Sequence, residues 1–152
     1  VPYIEGKGCT LDRMAINVNA AVANTVVRFG IYSATSSTNL YPSTLVVDAG
    51  EIDSSTVGTK TQTISAGLNK GQMYWFVMIA DNTTATLTGP TIRAIPAASM
   101  PPVLGTSSAF GTTPNTYLSV AGQTYGALPG TFPAGATVQT GAAPAAIVRL
   151  SA

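Results

Sequence analysis

Three carboxylates form the only acidic cluster in the sequence: Asp48, Glu51 and Asp53. On an extended strand, Glu51 and Asp53 would share one face and lie about 7 Å apart by the rise of the strand. That separation suits the acid pair of an inverting glycosidase or part of a calcium site. A catalytic acid, however, needs an apolar or like-charged environment to raise its pKa, and the polar residues 54–56 follow here. We therefore predict a solvated strand end, with the enzyme and metal hypotheses as minor alternatives.

The composition removes most of the residue types that catalysis uses. The chain has no histidine, so the commonest general base, metal ligand and triad member are absent. The single cysteine, Cys9, cannot form an internal disulfide and is expected as a small, half-buried side chain beside the first strand. The lysines lie beside turn residues, where solvent opposes the pKa depression that a nucleophilic lysine needs. We predict a protein that is not an enzyme and uses no cofactor or metal.

Aromatic and amide side chains are the remaining candidates for a binding site. Sugar rings bind on flat aromatic faces that are flanked by hydroxyl, amide or carboxylate partners. Such residues occur in two places, Tyr117 and Tyr125 with Asn115 and Gln123 nearby, and Tyr41 with Asn39 in an earlier loop. The competing hypothesis is that these aromatics fill the core of the fold or an oligomer seam, and the sequence favours it.

The charge content limits the classes of partner. Charged residues make up 9% of the 152 residues, and the formal net charge is +1. An ordinary soluble domain has about 25% charged residues. The basic residues are scattered, so nucleic acid is not an expected partner, since phosphate binding needs a concentrated positive patch. No apolar run reaches the length of a membrane span, so membrane insertion is not expected.

An apolar content of 45% beside so few charges predicts a homo-oligomer.

The run from Met73 to Ala80 carries the only tryptophan and is the expected centre of the fold. Its aromatic and branched residues predict a central strand buried on both faces, with segment 25–32 as its partner. The core is predicted to close over Phe29 and Trp75. Further strands are expected at 10–19, 44–53, 85–95 and 145–150, and at an edge in 60–64. Residues 1–4 are expected at an edge or as an extended approach, and Gly50 is expected to mark a bulge or a close backbone approach. Segment 33–43 is expected as an exposed loop presenting Leu40 and Tyr41.

These strands, joined by short turns and without a helical period, predict an all-β antiparallel β-sandwich with jelly-roll topology. A single domain over residues 1–152 is expected, because no charged linker divides the chain. Residues 96–144 form a long irregular segment before the last strand, with aromatics at uneven spacing. Structureless loops beyond about 12–15 residues are uncommon, so we expect this segment to pack on the sandwich or on a neighbouring chain. The chain begins at Val1 without a methionine, so a longer polypeptide is expected.

Three motifs follow one another along the chain. They are R-x-G-I-Y at 28–32, L-V-x-D-x-G at 45–50 and G-x-x-Y-W at 71–75. This order resembles the β-sandwich domains of bacteriophage tail-fibre, minor tail and other virion-surface proteins. The resemblance covers residues 9–95 and the last strand. Its motif residues correspond to core and turn positions, so they carry over as structure and not as a site.

The resemblance implies a homo-oligomeric component of the virion surface, commonly a trimer. Its partners would be other virion proteins and a host-surface glycan or protein, to which exposed loops adsorb. The expected function is therefore adsorption of a tail fibre or tail tip to the host. One alternative is a capsid decoration or head-fibre protein that stabilises or decorates the particle. A further alternative is a carbohydrate-binding module of a secreted enzyme.

Overall fold

The computed structural model describes residues 2–81, 89–96, 99 and 116–151. Within these ranges the chain forms strands β1 (Pro2–Ile4), β2 (Cys9–Ala20), β3 (Val26–Ala34), β4 (Pro42–Asp53), β5 (Gly58–Leu68), β6 (Met73–Ala80), β7 (Thr91–Ile92), β8 (Ala94–Ile95), β9 (Tyr117–Ser119), β10 (Thr137–Gln139), β11 (Ala143–Pro144) and β12 (Ile147–Leu150). No helix in the described part of the chain is both long enough and apolar enough to cross a bilayer.

The strands form two main antiparallel sheets that pack face to face. The first sheet has the order β1-β6-β3-β4, and the second has the order β12-β2-β5 with β7 also paired to β2. The predicted all-β antiparallel sandwich is confirmed, as are the pairing of β6 with β3 and the edge positions of β1 and β5. The strand order does not establish a jelly roll, which stays a prediction.

The main core lies between the two sheets. It contains buried side chains from five strands, namely Leu11, Met14, Ile16, Val18, Val27, Phe29, Ile31, Ala49, Ile52, Ile64, Ala66, Leu68 and Tyr74. On β3 the core residues Val27, Phe29 and Ile31 alternate with residues of the opposite face, as the two-residue period of a strand requires. Each fully buried branched or aromatic side chain contributes roughly 1.5–3 kcal/mol relative to exposure, so this layer supplies much of the stability.

A second core covers the other face of the first sheet. Its buried members are Tyr32, Ala34, Met73 and Trp75. The prediction that one core closes over Phe29 and Trp75 is therefore wrong. Trp75 pairs with Tyr32 across β3 and β6, whereas Phe29 pairs with Met78, and directly paired side chains share a face. The predicted burial of β6 on both faces is confirmed, because each face has its own core.

Two local expectations also change. Segment 33–43 is less exposed than predicted, since Leu40 packs against the second core and its carbonyl accepts a hydrogen bond from Trp75 Nε1 at 2.8 Å. The strand expected at 85–95 appears in the described residues only as the short strands β7 and β8, while residues 82–88 lie outside them. Cys9 is a half-buried free thiol at the start of β2, as predicted.

Candidate functional site

Residues 116–139, called the outer layer below, lie across the outer face of the first sheet. Leu118, Leu128 and Phe132 pack against the second core. The ring of Phe132 stands edge-to-face against Tyr32 at 5.2 Å and against Tyr41 at 5.8 Å between centroids. The sequence left open whether the long segment packs on its own sandwich or on a neighbour. In its described part, the outer layer packs on its own sandwich.

Asp48 fastens the outer layer to the sheet. Its carboxylate accepts hydrogen bonds from Arg28 Nε at 2.9 Å, from the Gly50 backbone N–H at 2.9 Å and from the Leu128 backbone N–H at 3.0 Å. The predicted bulge at Gly50 is present, with φ of +82°, and it brings Asp48 opposite Gly30 on β3. Since Leu128 belongs to the outer layer, Asp48 joins two layers of the protein.

The three carboxylates of the acidic cluster differ in their exposure to solvent. Asp48 and Arg28 are each only 18% exposed in their side chains, whereas Glu51 and Asp53 are exposed, as a solvated strand end predicts. The hydroxyl and backbone N–H of Ser55 lower the pKa of Asp53, so this carboxylate is ionised and not poised as an acid. Among the described residues, no group of three or more Cys, Asp or Glu side chains is placed to hold a metal ion.

Two tyrosine hydroxyls hold the outer layer at further points. Tyr32 donates to the Pro129 carbonyl at 2.6 Å, and Tyr41 donates to the Pro133 carbonyl at 2.8 Å. The Tyr41 hydroxyl also accepts from the Ala136 backbone N–H at 3.1 Å. Tyr41, one of the predicted binding residues, therefore makes its ring contact and its hydroxyl hydrogen bonds inside the chain. Asn39 is exposed, and its side-chain carbonyl accepts from the Tyr41 backbone N–H at 3.2 Å.

Buried tyrosines predict a loss of stability at alkaline pH. Burial and the Asp48 carboxylate raise the pKa of Tyr32 from 10.0 to about 12, and burial and the Glu51 carboxylate do the same for Tyr125. Because the folded state holds these protons more tightly, their contribution is complete below pH 10 and is lost as pH rises toward 12. Absorbance titration of tyrosinate should show late ionisation coupled to the loss of near-UV circular dichroism. Tyr32→Phe should remove one late-titrating group, and ionisation of every tyrosine near pH 10 in the folded protein would contradict this.

A cavity of about 480 Å³ lies between the outer layer and the first sheet. Its walls are mainly apolar and include Val77, Ile79, Leu118, Leu128 and Phe132. Tyr117 and Gln123 also line it, and both were predicted as binding residues. A volume of roughly 300–1,000 Å³ with few polar groups is typical of sites for small ligands. The chemistry available here is stacking on a flat ring, apolar contact and hydrogen bonding by an amide.

Of the other predicted binding residues, Tyr125, Tyr41 and Asn39 are not among the described residues that line this cavity. Tyr125 is half-buried, and its hydroxyl lies beside the Glu51 carboxylate and the Arg28 guanidinium. Asn115 lies outside the described residues. Sequence reasoning missed the Arg28–Asp48 pair and Leu128, which hold the cavity wall in place. The available signal was Gly30 in the R-x-G-I-Y motif, since a glycine in a β-rich strand often marks close approach of another chain segment.

Comparison with known proteins finds no relative of this chain. No family model, curated protein or solved structure matches the chain.

Proposed function

We propose that the chain is a non-enzymatic structural domain of a bacteriophage virion, at a tail fibre or tail tip, which adsorbs to a host-surface glycan or another receptor. The order of the motifs at 28–32, 45–50 and 71–75 supports the setting, since it resembles virion-surface β-sandwich domains. A chain with 9% charged residues fits recognition by hydroxyls, amides and rings better than recognition by charge. We also propose that it works as a homo-oligomer.

One observation carries the proposal of adsorption. Tyr117 and Gln123 line the same cavity, on the outer layer. Three side chains hold this layer by hydrogen bonds, namely Tyr32 and Asp48 of the first sheet and Tyr41 of the loop before β4. The C–H face of a sugar would stack on the Tyr117 ring, and the Gln123 amide would bond its hydroxyls. Because hydrogen bonds already hold the outer layer in place before a ligand arrives, binding loses little conformational entropy. Several copies on one particle would multiply a weak single-site affinity.

A double variant, Tyr117→Ala with Gln123→Ala, tests this site. We expect it to reduce adsorption of the purified protein to host cells at least about tenfold, which corresponds to about 1.4 kcal/mol of binding free energy. The matched control is Thr61→Ala with Thr63→Ala, because both threonines are exposed on β5 in the second sheet. Circular dichroism should show that both double variants are folded. Equal adsorption by the two double variants would remove the cavity from the site.

A second candidate function is decoration or stabilisation of the capsid. It is favoured by strand β12, on which Ile147, Val148 and Leu150 are exposed and so available for contacts between subunits. Labelling the protein on intact particles and imaging them separates the candidates. Label on the head would favour decoration, and label at the tail would favour adsorption.

A further inference from the structure

Strand β12 forms one edge of the second sheet in the described part of the chain. All its residues are exposed, and its apolar members Ile147, Val148 and Leu150 are 46%, 36% and 59% exposed. Natural proteins blunt such edges with charges, prolines or bulges, because a free edge presents unpaired backbone N–H and C=O groups. The single charge on β12, Arg149, is instead bound by Asp12 of the same chain through both guanidinium Nε and Nη2. Arg13 of β2 lies opposite Arg149 and is exposed, so the positive charge beside this edge lies on the same face as Arg149. The other face of β12 carries Val148 and Leu150 and is apolar.

Two apolar side chains of β12 continue the main core. Val148 pairs with Met14 and Leu150 pairs with Leu11 on β2, so these residues share the core-facing side of the sheet. Met14 and Leu11 are 1% and 2% exposed, whereas Val148 and Leu150 remain open to solvent. The core thus extends to the edge strand but is not covered there by the described residues. Covering it would remove apolar surface from water, which favours association.

We propose that β12 pairs antiparallel with β12 of a second copy of this chain, so that the second sheet continues across a two-fold axis. An antiparallel pair centred on Val148 places this residue against its own copy and Ile147 opposite the partner's Arg149. Both Arg149 charges keep their Asp12 partners in that register, so two identical edges meet without unpaired like charges. A register centred on Arg149 would bring the two guanidinium groups together, which disfavours it.

A second copy of this chain fits this edge better than an acidic or a basic protein of another kind. The one cation of β12 is already paired, and Arg13 lies one strand behind the edge, on the face away from the core. A partner strand therefore meets the backbone and the apolar side chains of β12. A two-fold contact needs a surface that is complementary to itself. An edge strand with apolar side chains meets this condition when it pairs antiparallel with its own copy. The contact gives a dimer, whereas the trimer implied by the family resemblance would use another surface. This inference does not depend on adsorption to a host.

Sedimentation velocity over a concentration series tests the contact. We expect a monomer–dimer equilibrium for the unaltered chain, and Val148→Lys should raise the dimer dissociation constant at least about tenfold, because edge lysines block strand pairing. Val57→Lys is the matched control, since Val57 is an apolar residue with 64% exposure far from β12 in the chain, in the turn between β4 and β5. It should leave the dissociation constant unchanged.

A second measurement guards against misfolding of the lysine variant. In the unaltered chain, hydrogen exchange of β12 amides should slow with rising protein concentration, while exchange in β6 should not change. A monomer at all concentrations, or any oligomer whose association Val148→Lys leaves unchanged, would overturn the proposal. A monomeric chain that still adsorbs to host cells would remove this contact and keep the proposed function. A dimer that fails to adsorb to host cells would keep the β12 contact and remove the proposed adsorption.

Discussion

Gly30→Ala is expected to destabilise the protein by about 1–3 kcal/mol and to loosen the outer layer, because the strand has no room for a methyl group there. A Cβ at Gly30 would lie 2.8 Å from the Val47 carbonyl oxygen and would overlap Cδ1 of Leu128. The leucine side chain can rotate away, but the carbonyl belongs to the backbone of the neighbouring strand. β3 and β4 must therefore separate, or the outer layer must rise.

Gly67→Ala provides the matched control for Gly30→Ala. Gly67 also lies within a strand, and no atom lies within 4 Å of the position that its Cβ would take. Its effect on the free energy of unfolding in urea should stay within about 0.5 kcal/mol. In a double-mutant cycle, Leu128→Ala should relieve part of the cost of Gly30→Ala, because one of the two overlaps disappears. Equal effects of the two glycine substitutions would show that Leu128 and Val47 do not lie as described.

Asp48→Ala is expected to cost about 2–4 kcal/mol of stability, because it leaves a half-buried cation and two backbone N–H groups without their acceptor. Among the described residues, the one carboxylate left to pair with Arg28 would be that of Glu51, whose Oε1 lies 3.9 Å from Nη1. The N–H groups of Gly50 and Leu128 would each lose the acceptor that the structure gives them. The loss should therefore affect both the bulge in β4 and the attachment of the outer layer.

Asp53→Ala is the control for Asp48→Ala, since Asp53 is exposed on the same strand. It should change the free energy of unfolding by less than about 1 kcal/mol. Amide exchange provides a local readout, because only Asp48→Ala removes the carboxylate that protects the Leu128 N–H. Unchanged exchange at Leu128 in Asp48→Ala would contradict the role of Asp48 in holding the outer layer.

The candidate site was only partly predictable from the sequence. Tyr117 and Gln123, both predicted as binding residues, line the cavity. Tyr125 follows closely in the chain, yet its hydroxyl lies beside Glu51 of β4 and its side chain is not among those that line the cavity. Tyr41 looked like an exposed loop aromatic, but its hydroxyl bonds Pro133 and Ala136. A side chain's partners far along the chain are not encoded in the pattern around it.

The sequence by itself determined strands β1–β6 and β12, the pairing of β3 with β6 and the all-β class, because alternation and turn residues act over a few neighbouring positions. It did not indicate the short strands β9, β10 and β11. Only the tertiary structure decided that Phe29 and Trp75 face different cores, since this depends on the register between β3 and β6. It also decided that the outer layer docks on Gly30 and Asp48 of the same chain. That choice depends on shape and hydrogen bonding between distant segments, which no local period records.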